Sequence, residues 1–165
     1  MTKASILTAA AASLALGGAL LATPATAQYR NKIGNDLSQC AAGKGPAVRV
    51  TVSGIKSSSG KLRVQSYRAN GAEWLESGRW LNRIEVPARA GTMTFCMPVP
   101  TSGSYGIAVR HDVNGNGDTD LRSDGGGMSN NPSISVFNLG KPSYKKTAFN
   151  VGPGVSRIAI QMKYM

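Results

Sequence analysis

The stretches AVRVTVS, residues 47–53, and VSRIAIQMKY, residues 155–164, alternate apolar with polar side chains. Successive side chains of a β-strand point to opposite faces, so this alternation is typical of a strand with one buried face. Val50 and Val52 share the apolar face of the first stretch, and Ile160 lies on that of the second. The two stretches therefore predict half-buried strands at the beginning and the end of one domain.

Five further segments predict strands, and no amphipathic helix competes with them. Turns rich in Gly, Pro and Ser separate these segments, which are 61–68, 83–86, 92–97, 104–111 and, more weakly, 143–151. The pattern predicts an all-β fold, a single antiparallel β-sandwich of about six to eight strands. The apolar faces predict a core that contains Val50, Val52, Val64, Phe95, Ile107, Val109, Ile158 and Ile160.

Residues 1–27 have the pattern of a secretion signal. Lys3 supplies a positive start, an Ala- and Leu-rich stretch follows, and the small residues that end at Ala27 form a cleavage site. The alternative, a membrane anchor, needs about 20 strongly apolar residues, and this stretch is shorter. The sequence therefore predicts a mature chain that starts at Gln28, is periplasmic or secreted, and keeps no transmembrane anchor.

The chain has 165 residues, which suits one domain after the signal. Residues 28–46 are Gly-rich and predict an extended N-terminal leader, and residues 47–165 form the predicted sandwich. Two Cys in an exported chain predict a disulfide between Cys40 and Cys96; the alternative is two unrelated thiols. Because Cys96 lies on the strand face opposite Phe95, we expect the bridge to attach the leader to the outside of the sandwich.

The chain is basic, with 19 Lys and Arg against 8 Asp and Glu and a formal net charge of +11. The basic residues are scattered, and neither a recognition-helix pattern nor an aromatic-and-basic RNA motif is present, so no nucleic-acid partner is expected. Diffuse positive charge on an exported protein indicates solubility or attraction to anionic cell-envelope components. Trp74 and Trp80 have two interpretations: they close the core, or they form a platform on which sugars stack.

The least ordinary stretch is HDVNGNGDTD, residues 111–120. Calcium takes about six to eight oxygen ligands, and alternating Asp and Asn around Gly supply such oxygens from a curled loop. The opening resembles an EF-hand loop, but Ser123 stands where the closing Glu belongs. The stretch predicts either an isolated, weak calcium loop or a tight turn closed by hydrogen bonds between Asn or Asp side chains and the backbone. The candidate calcium ligands are Asp112, Asn114, Asn116, Asp118 and Asp120.

The pattern GxYxIAVxHDxNxNG at residues 103–117, followed by GxSNN at 127–131 and by Ala148 and Phe149, resembles the bacterial family called domain of unknown function 2141. The pattern is also similar, more loosely, to transthyretin-like and Cna-B-like sandwiches. This resemblance covers nearly the whole mature chain and implies an exported β-sandwich with no assigned activity. The run GGGM at 125–128 departs from the family, in which a segment like Gly-Pro-x-Glu-Gly is expected, so no role of that acidic position is carried over.

The chain is short of the parts of a hydrolase, since its only His is His111 and the neighbouring Asp112 points to the opposite face of an extended strand. We expect His111 at the edge of the core. The sequence therefore predicts no enzyme, but a non-catalytic exported β-sandwich that binds or supports components of the cell envelope. The alternative is an enzyme that acts on an envelope glycan or polymer through the acidic loop at residues 112–124. A cleft that joins Asp120 or Asp124 to the two tryptophans would favour that enzyme.

Overall fold

A computed structural model describes residues 29–120, 122–134 and 140–164. In this part of the chain ten strands form two facing sheets, which confirms the all-β sandwich. The described residues also contain a short 3-10 turn (Leu37–Cys40) and one helical turn, α1 (Tyr144–Thr147). The predicted signal and its cleavage site, Ala27 and Gln28, lie outside the described residues. The strands are β1 (Asn31–Ile33), β2 (Ala47–Ile55), β3 (Lys61–Arg68), β4 (Asn82–Pro87), β5 (Gly91–Pro98), β6 (Gly103–Asp112), β7 (Gly125–Met128), β8 (Phe149–Val151), β9 (Val155–Gln161) and β10 (Lys163–Tyr164).

The larger sheet has the order β1-β4-β3-β6-β7-β10, and β8 pairs with the first residues of β6. The smaller sheet has the order β5-β2-β9. Most neighbours are antiparallel as predicted, but β2 runs parallel to β9 and β1 runs parallel to β4. The structure differs from the antiparallel prediction at these two pairs because alternation fixes the faces of a strand and not the direction of its neighbour.

The core lies between the two sheets and contains the predicted core residues from β2, β3, β5 and β6 together with Ile160 of β9. Ile158 is only partly buried, because β9 is an edge strand of the smaller sheet. Trp74 and Trp80 pack with Tyr67 in a second apolar cluster, and their side chains are 7% and 6% exposed. The tryptophans are therefore buried, but in a cluster separate from the core between the two sheets, which they do not close.

The strand predicted at residues 143–151 begins later than expected, because its first half forms α1 and only its end forms β8. The carbonyls of this segment have side-chain partners instead of a neighbouring strand. The hydroxyl of Ser129 donates to the carbonyl of Thr147 at 2.6 Å, and the Asn130 amide donates to the carbonyl of Ala148 at 2.8 Å. Among the described residues, no helix has the length and apolar character that crossing a membrane requires.

The leader is more ordered than an extended arm and is attached to both sheets. Its strand β1 pairs with β4 in the larger sheet. On the smaller sheet, the Asn35 amide donates to the carbonyl of Thr94 at 2.9 Å and accepts the N–H of Cys96 at 3.1 Å. The predicted disulfide between Cys40 and Cys96 is present, with 5.7 Å between the two Cα atoms. It lies in a small apolar cluster apart from the main core.

Candidate functional site

The loop after β6 is closed by the carboxylate of Asp112, the last residue of that strand. Asp112 is only 3% exposed. Its Oδ1 accepts the N–H of Gly115 at 2.8 Å, and its Oδ2 accepts the N–H of Gly117 at 2.9 Å. Both glycines have positive φ, +72° and +87°, a conformation that other residues rarely adopt. The Asp and the two glycines together therefore produce the sharp curl.

Asn114 and Asn116 continue the curl through repeated turns. The Asn114 side-chain oxygen accepts the backbone N–H of Asn116 at 3.1 Å, and the Asn116 side-chain oxygen accepts the backbone N–H of Asp118 at 2.8 Å. Both side-chain amides donate to one oxygen of Asp120, at 2.8 and 2.9 Å. Four of the five candidate calcium ligands thus join one network through their side chains, and Asp118 joins through its backbone. These bonds are those of the tight-turn alternative, and every one of them has an N–H donor.

Asp124 and Arg110 fix the loop to the sheet. Asp124 is 6% exposed, and its two oxygens accept the backbone N–H groups of Val113 at 3.1 Å and of Asp120 at 3.0 Å. The Arg110 guanidinium donates to the Thr119 hydroxyl at 2.8 Å and to the carbonyl of Gly117 at 2.7 Å. These bonds fix the loop beside β6, and its position depends on Arg110 of that strand.

His111 is fully buried, and both of its ring nitrogens have partners. Nε2 lies 2.8 Å from the carbonyl of Ser59, which can only accept, so Nε2 carries the hydrogen. Nδ1 then accepts from the Tyr164 hydroxyl at 2.7 Å, and that hydroxyl accepts the N–H of Lys56 at 3.0 Å. This chain of hydrogen bonds gives the histidine a structural role at the edge of the core, as its position in the sequence predicts.

The outer face of the larger sheet carries a row of arginines that the sequence analysis missed. Arg63 of β3 lies opposite Arg110 of β6, and Arg83 of β4 lies opposite Gln65, two residues along β3. The three arginines come from distant parts of the sequence, and only the register of the strands brings them together. The one available signal was that each occupies the polar face of an alternating run, which marks exposure but not proximity.

The three guanidiniums differ in their partners. Arg63 donates to Glu85 at 2.8 Å, and Arg110 lies 3.4 Å from Asp112. Arg83 has no carboxylate within salt-bridge distance among the described residues; its guanidinium lies 4.1 Å from the centre of the Trp80 ring. The Nε atoms of Arg83 and Arg110 are buried and have no hydrogen-bond partner in the described part of the chain.

The pKa values of two of these arginines are lowered, mainly by burial. Burial lowers the pKa of Arg83 and of Arg110, and the positive charge of Arg63 lowers both further. Burial also raises the pKa of the neighbouring Tyr67 to about 12, although Arg83 and Arg63 act in the opposite direction. A lowered pKa of a cation means that its charge is unfavourable where it stands, so a bound anion would be favourable there.

Two adjoining cavities of about 520 and 610 Å³ lie over this face and form one groove. Both volumes fall within the range of small-molecule sites, about 300–1,000 Å³. The groove connects Asp120 and Asp124 in the first cavity with Trp80 in the second, and this is the connection that would favour the enzyme alternative. The oxygens of Asp124 are, however, both occupied by backbone N–H groups. The residues that line both cavities are Arg63, Gln65, Leu75 and Thr119.

The triplet Ser129-Asn130-Asn131 follows β7 and has a structural explanation. The Ser129 hydroxyl accepts the N–H of Ile107 at 3.1 Å while it donates to α1. Asn131 donates to the carbonyl of Ala159 at 3.1 Å and accepts the N–H of Gln161 at 2.8 Å. The triplet therefore connects β6, α1 and β9 and places the end of β7 beside the groove.

Comparison with known protein families gives one match. A family model described as an uncharacterised protein conserved in bacteria (DUF2141) matches residues 50–159. The match extends from β2 into β9 and includes all three arginines of the groove. No curated protein and no solved structure matches the chain.

Proposed function

The chain belongs to the DUF2141 family of uncharacterised bacterial proteins, and we propose that it is an exported, non-catalytic β-sandwich that binds an anionic component of the cell envelope through the groove. The proposal rests mainly on the surroundings of the Arg83 guanidinium. This guanidinium lies half-buried near Arg63 and Arg110 and, among the described residues, has no carboxylate within salt-bridge distance, since the charge of Glu85 acts on it only from farther away. A carboxylate or phosphate would supply the missing charge and accept two parallel N–H bonds.

Export is supported by two independent features. Residues 1–27 have the pattern of a secretion signal, and the disulfide between Cys40 and Cys96 suits an oxidising compartment. The net charge of +11 would attract the protein to anionic surfaces in general, and the groove would give that attraction a location. We therefore propose that the protein is periplasmic or secreted.

We also propose that the protein is not an enzyme, because its candidate acid and base groups already have hydrogen-bond partners within the fold. Both nitrogens of His111 and both oxygens of Asp124 are used to hold the fold. The alternative, an enzyme that cleaves an envelope glycan or polymer, is favoured by the groove that joins Asp120 to Trp80. Incubation with envelope glycan fragments distinguishes the two: release of new reducing ends that Asp120→Asn abolishes would establish the enzyme.

Calcium binding by residues 112–120 is a second candidate function, favoured by the curled arrangement of four of its predicted ligands. An ion at the centre would displace the amide bonds to Asp120, so we expect weak affinity, about 10⁻⁴–10⁻³ M. Millimolar calcium should then raise the Tm of the wild type and not that of Asp120→Asn. Asp36→Asn, which removes a carboxylate outside the loop, is the control. An equal response of all three proteins would leave the loop as a turn only.

The main proposal is tested by sedimentation of the mature protein with an isolated bacterial envelope fraction. We expect binding that weakens with salt and that Arg83→Gln reduces about tenfold or more, since a hydrogen bond to a charged group contributes roughly 1.5–3 kcal/mol. Arg157→Gln removes the same charge from β9 in the other sheet and should bind like the wild type. Equal loss in both variants would mean that net charge alone, and not the groove, holds the protein on the envelope.

A further inference from the structure

The two cavities of the groove differ in chemistry. The first exposes more apolar than polar surface, to which Leu75, Met128 and Ile134 contribute, and charged side chains also line it: Arg110, Lys141, Lys163, Asp120 and Asp124. The second is lined by cationic side chains, and one carboxylate, Glu76, opposes them. Because the cavities share four lining residues, they form one continuous groove whose surface is mainly apolar at one end and positively charged at the other. The cations of the second cavity are Arg30, Lys32, Arg63 and Arg83.

The apolar end owes its depth to a glycine. In β7 an added Cβ at Gly125 would collide with Tyr164, and one at Gly127 would lie 2.7 Å from Ile160, so packing requires both glycines. A Cβ at Gly126 would meet only Ile134, at an ordinary 3.8 Å, and its φ is not positive. Packing therefore does not explain Gly126. Its missing side chain leaves the floor of the first cavity open.

Leu75 stands where the two cavities meet. Its φ is +58°, a left-handed conformation that is strained for a Leu. The side chain is half-buried and lines both cavities. Strained residues of this kind persist where the surrounding structure holds them, often at binding sites. The strain places an apolar side chain at the junction, where it can contact a ligand that passes from one cavity to the other.

The cationic end presents the Arg83 guanidinium to a carboxylate. One face of the Arg83 guanidinium stacks on Trp80, which leaves its edge available for hydrogen bonds in the plane. Arg63 is already paired with Glu85. A single carboxylate fits an arginine edge through two parallel bonds.

We infer that the groove binds a fatty acid, with the carboxylate at Arg83 and the acyl chain over Gly126 between Leu75 and Met128. The inference rests on the proposed function, of which it names the ligand class. A single acyl chain suits the first cavity, whose volume is about 520 Å³. The carboxylate would pair with the positive charge at one end of the groove, and the acyl chain would bury apolar surface at the other.

The test is calorimetric titration of the mature, disulfide-bonded protein with dodecanoate below its micelle concentration. We expect saturable binding that Arg83→Gln and Gly126→Val each weaken about tenfold or more, the first through the head group and the second by filling the cavity floor. Gly152→Val adds the same side chain at an exposed glycine with no atom within 4 Å and should bind normally. Acetate, which lacks the chain, and monododecanoyl glycerol, which lacks the charge, should both bind more weakly than dodecanoate.

Three results would overturn the inference: no binding of dodecanoate to the wild type, normal binding by Gly126→Val, or equal binding of the neutral glyceride. If Gly126→Val unfolds, Gly126→Ala with an unchanged Tm takes its place, with a smaller loss expected. The proposed function fails separately. Envelope binding that depends on Arg83 without any binding of dodecanoate would retain the anionic site and reject the fatty acid. Binding of dodecanoate without retention on the envelope would support the fatty-acid site and reject binding to the envelope.

Discussion

Two asparagine side chains occupy the two open edges of the smaller sheet. Asn35 bonds to the backbone of β5, and Asn131 bonds to the backbone of β9. In each case one amide donates to a carbonyl and accepts an N–H two residues further on, as a neighbouring strand would. Unpaired edge strands invite association with other chains, and these amides reduce that exposure. Asn131 belongs to the SNN triplet, so this part of the family pattern serves the fold.

Ser129 makes the first prediction at the scale of the residue. Its buried hydroxyl links the N–H of Ile107 to the carbonyl of Thr147. Ser129→Ala would leave both groups without this partner, so we expect the free energy of unfolding to fall by about 1–3 kcal/mol. Urea denaturation measures the change. Ser102→Ala, in an exposed turn, is the control and should change stability by less than about 0.5 kcal/mol. An equally small loss for Ser129→Ala would mean that water replaces the hydroxyl.

Among the secondary-structure elements, the β3–β4 ladder carries a cross-strand charge cluster on its outer face. Glu85 of β4 lies opposite Arg63 of β3 and within 3.7 Å of Lys61. Burial raises the pKa of Glu85, but the hydrogen bond and charge of Arg63 and the charges of Lys61 and Arg83 outweigh this and lower it overall. The carboxylate therefore stabilises the fold in its ionised form.

The lowered pKa of Glu85 gives the second prediction, which concerns how stability depends on pH. A carboxylate whose pKa is lower in the folded state contributes stability above its unfolded pKa, and the contribution disappears as the pH falls through the folded pKa. The difference in unfolding free energy between the wild type and Glu85→Gln should be largest near pH 7, below about 1 kcal/mol, and should shrink below about pH 4.5. Glu76→Gln removes the same charge outside the ladder. A difference for Glu85→Gln that is independent of pH would exclude the ionic origin.

The sequence predicts some elements well because their information is local. The strands at residues 47–53 and 104–111 follow from alternation alone, and the curl at 112–120 follows from Asp, Asn and Gly within a few residues. The parallel pairing of β2 with β9 was not predictable, since it depends on a distant neighbour. The helical turn α1 was missed because its carbonyls bond to Ser129 and Asn130, which lie far away in sequence. The groove was missed for the same reason: strand register alone brings Arg83 to Gln65 and Arg63 to Arg110.

At the scale of the whole molecule, the N-terminal leader connects the two sheets at one end of the sandwich. Strand β1 extends the larger sheet, while Asn35 and the Cys40–Cys96 bridge hold the same segment on the smaller sheet. A second link runs between the sheets at this end, where the Asn82 side chain of β4 donates to the carbonyl of Pro98 in β5 at 2.8 Å. The leader also brings Arg30 and Lys32 to the cationic end of the groove. Fold stability and the charge of the groove are therefore coupled through this segment.

The last prediction concerns the bridge itself. Cys40 and Cys96 are 56 residues apart in sequence, and closing a loop of this length stabilises a fold by about 4 kcal/mol in the chain-entropy model. The double variant Cys40→Ala/Cys96→Ala should lose about that much in urea denaturation. Hydrogen exchange should accelerate at residues 31–40, whose attachment to β5 then depends on noncovalent contacts such as those of Asn35, and should change little in β3 and β6 away from this end. Mass spectrometry of protein purified from the periplasm should find both thiols blocked until reduction. Freely alkylated thiols, or a loss below about 1 kcal/mol with unchanged exchange, would mean that the leader is held by β1 and the Asn35 amide without help from the disulfide.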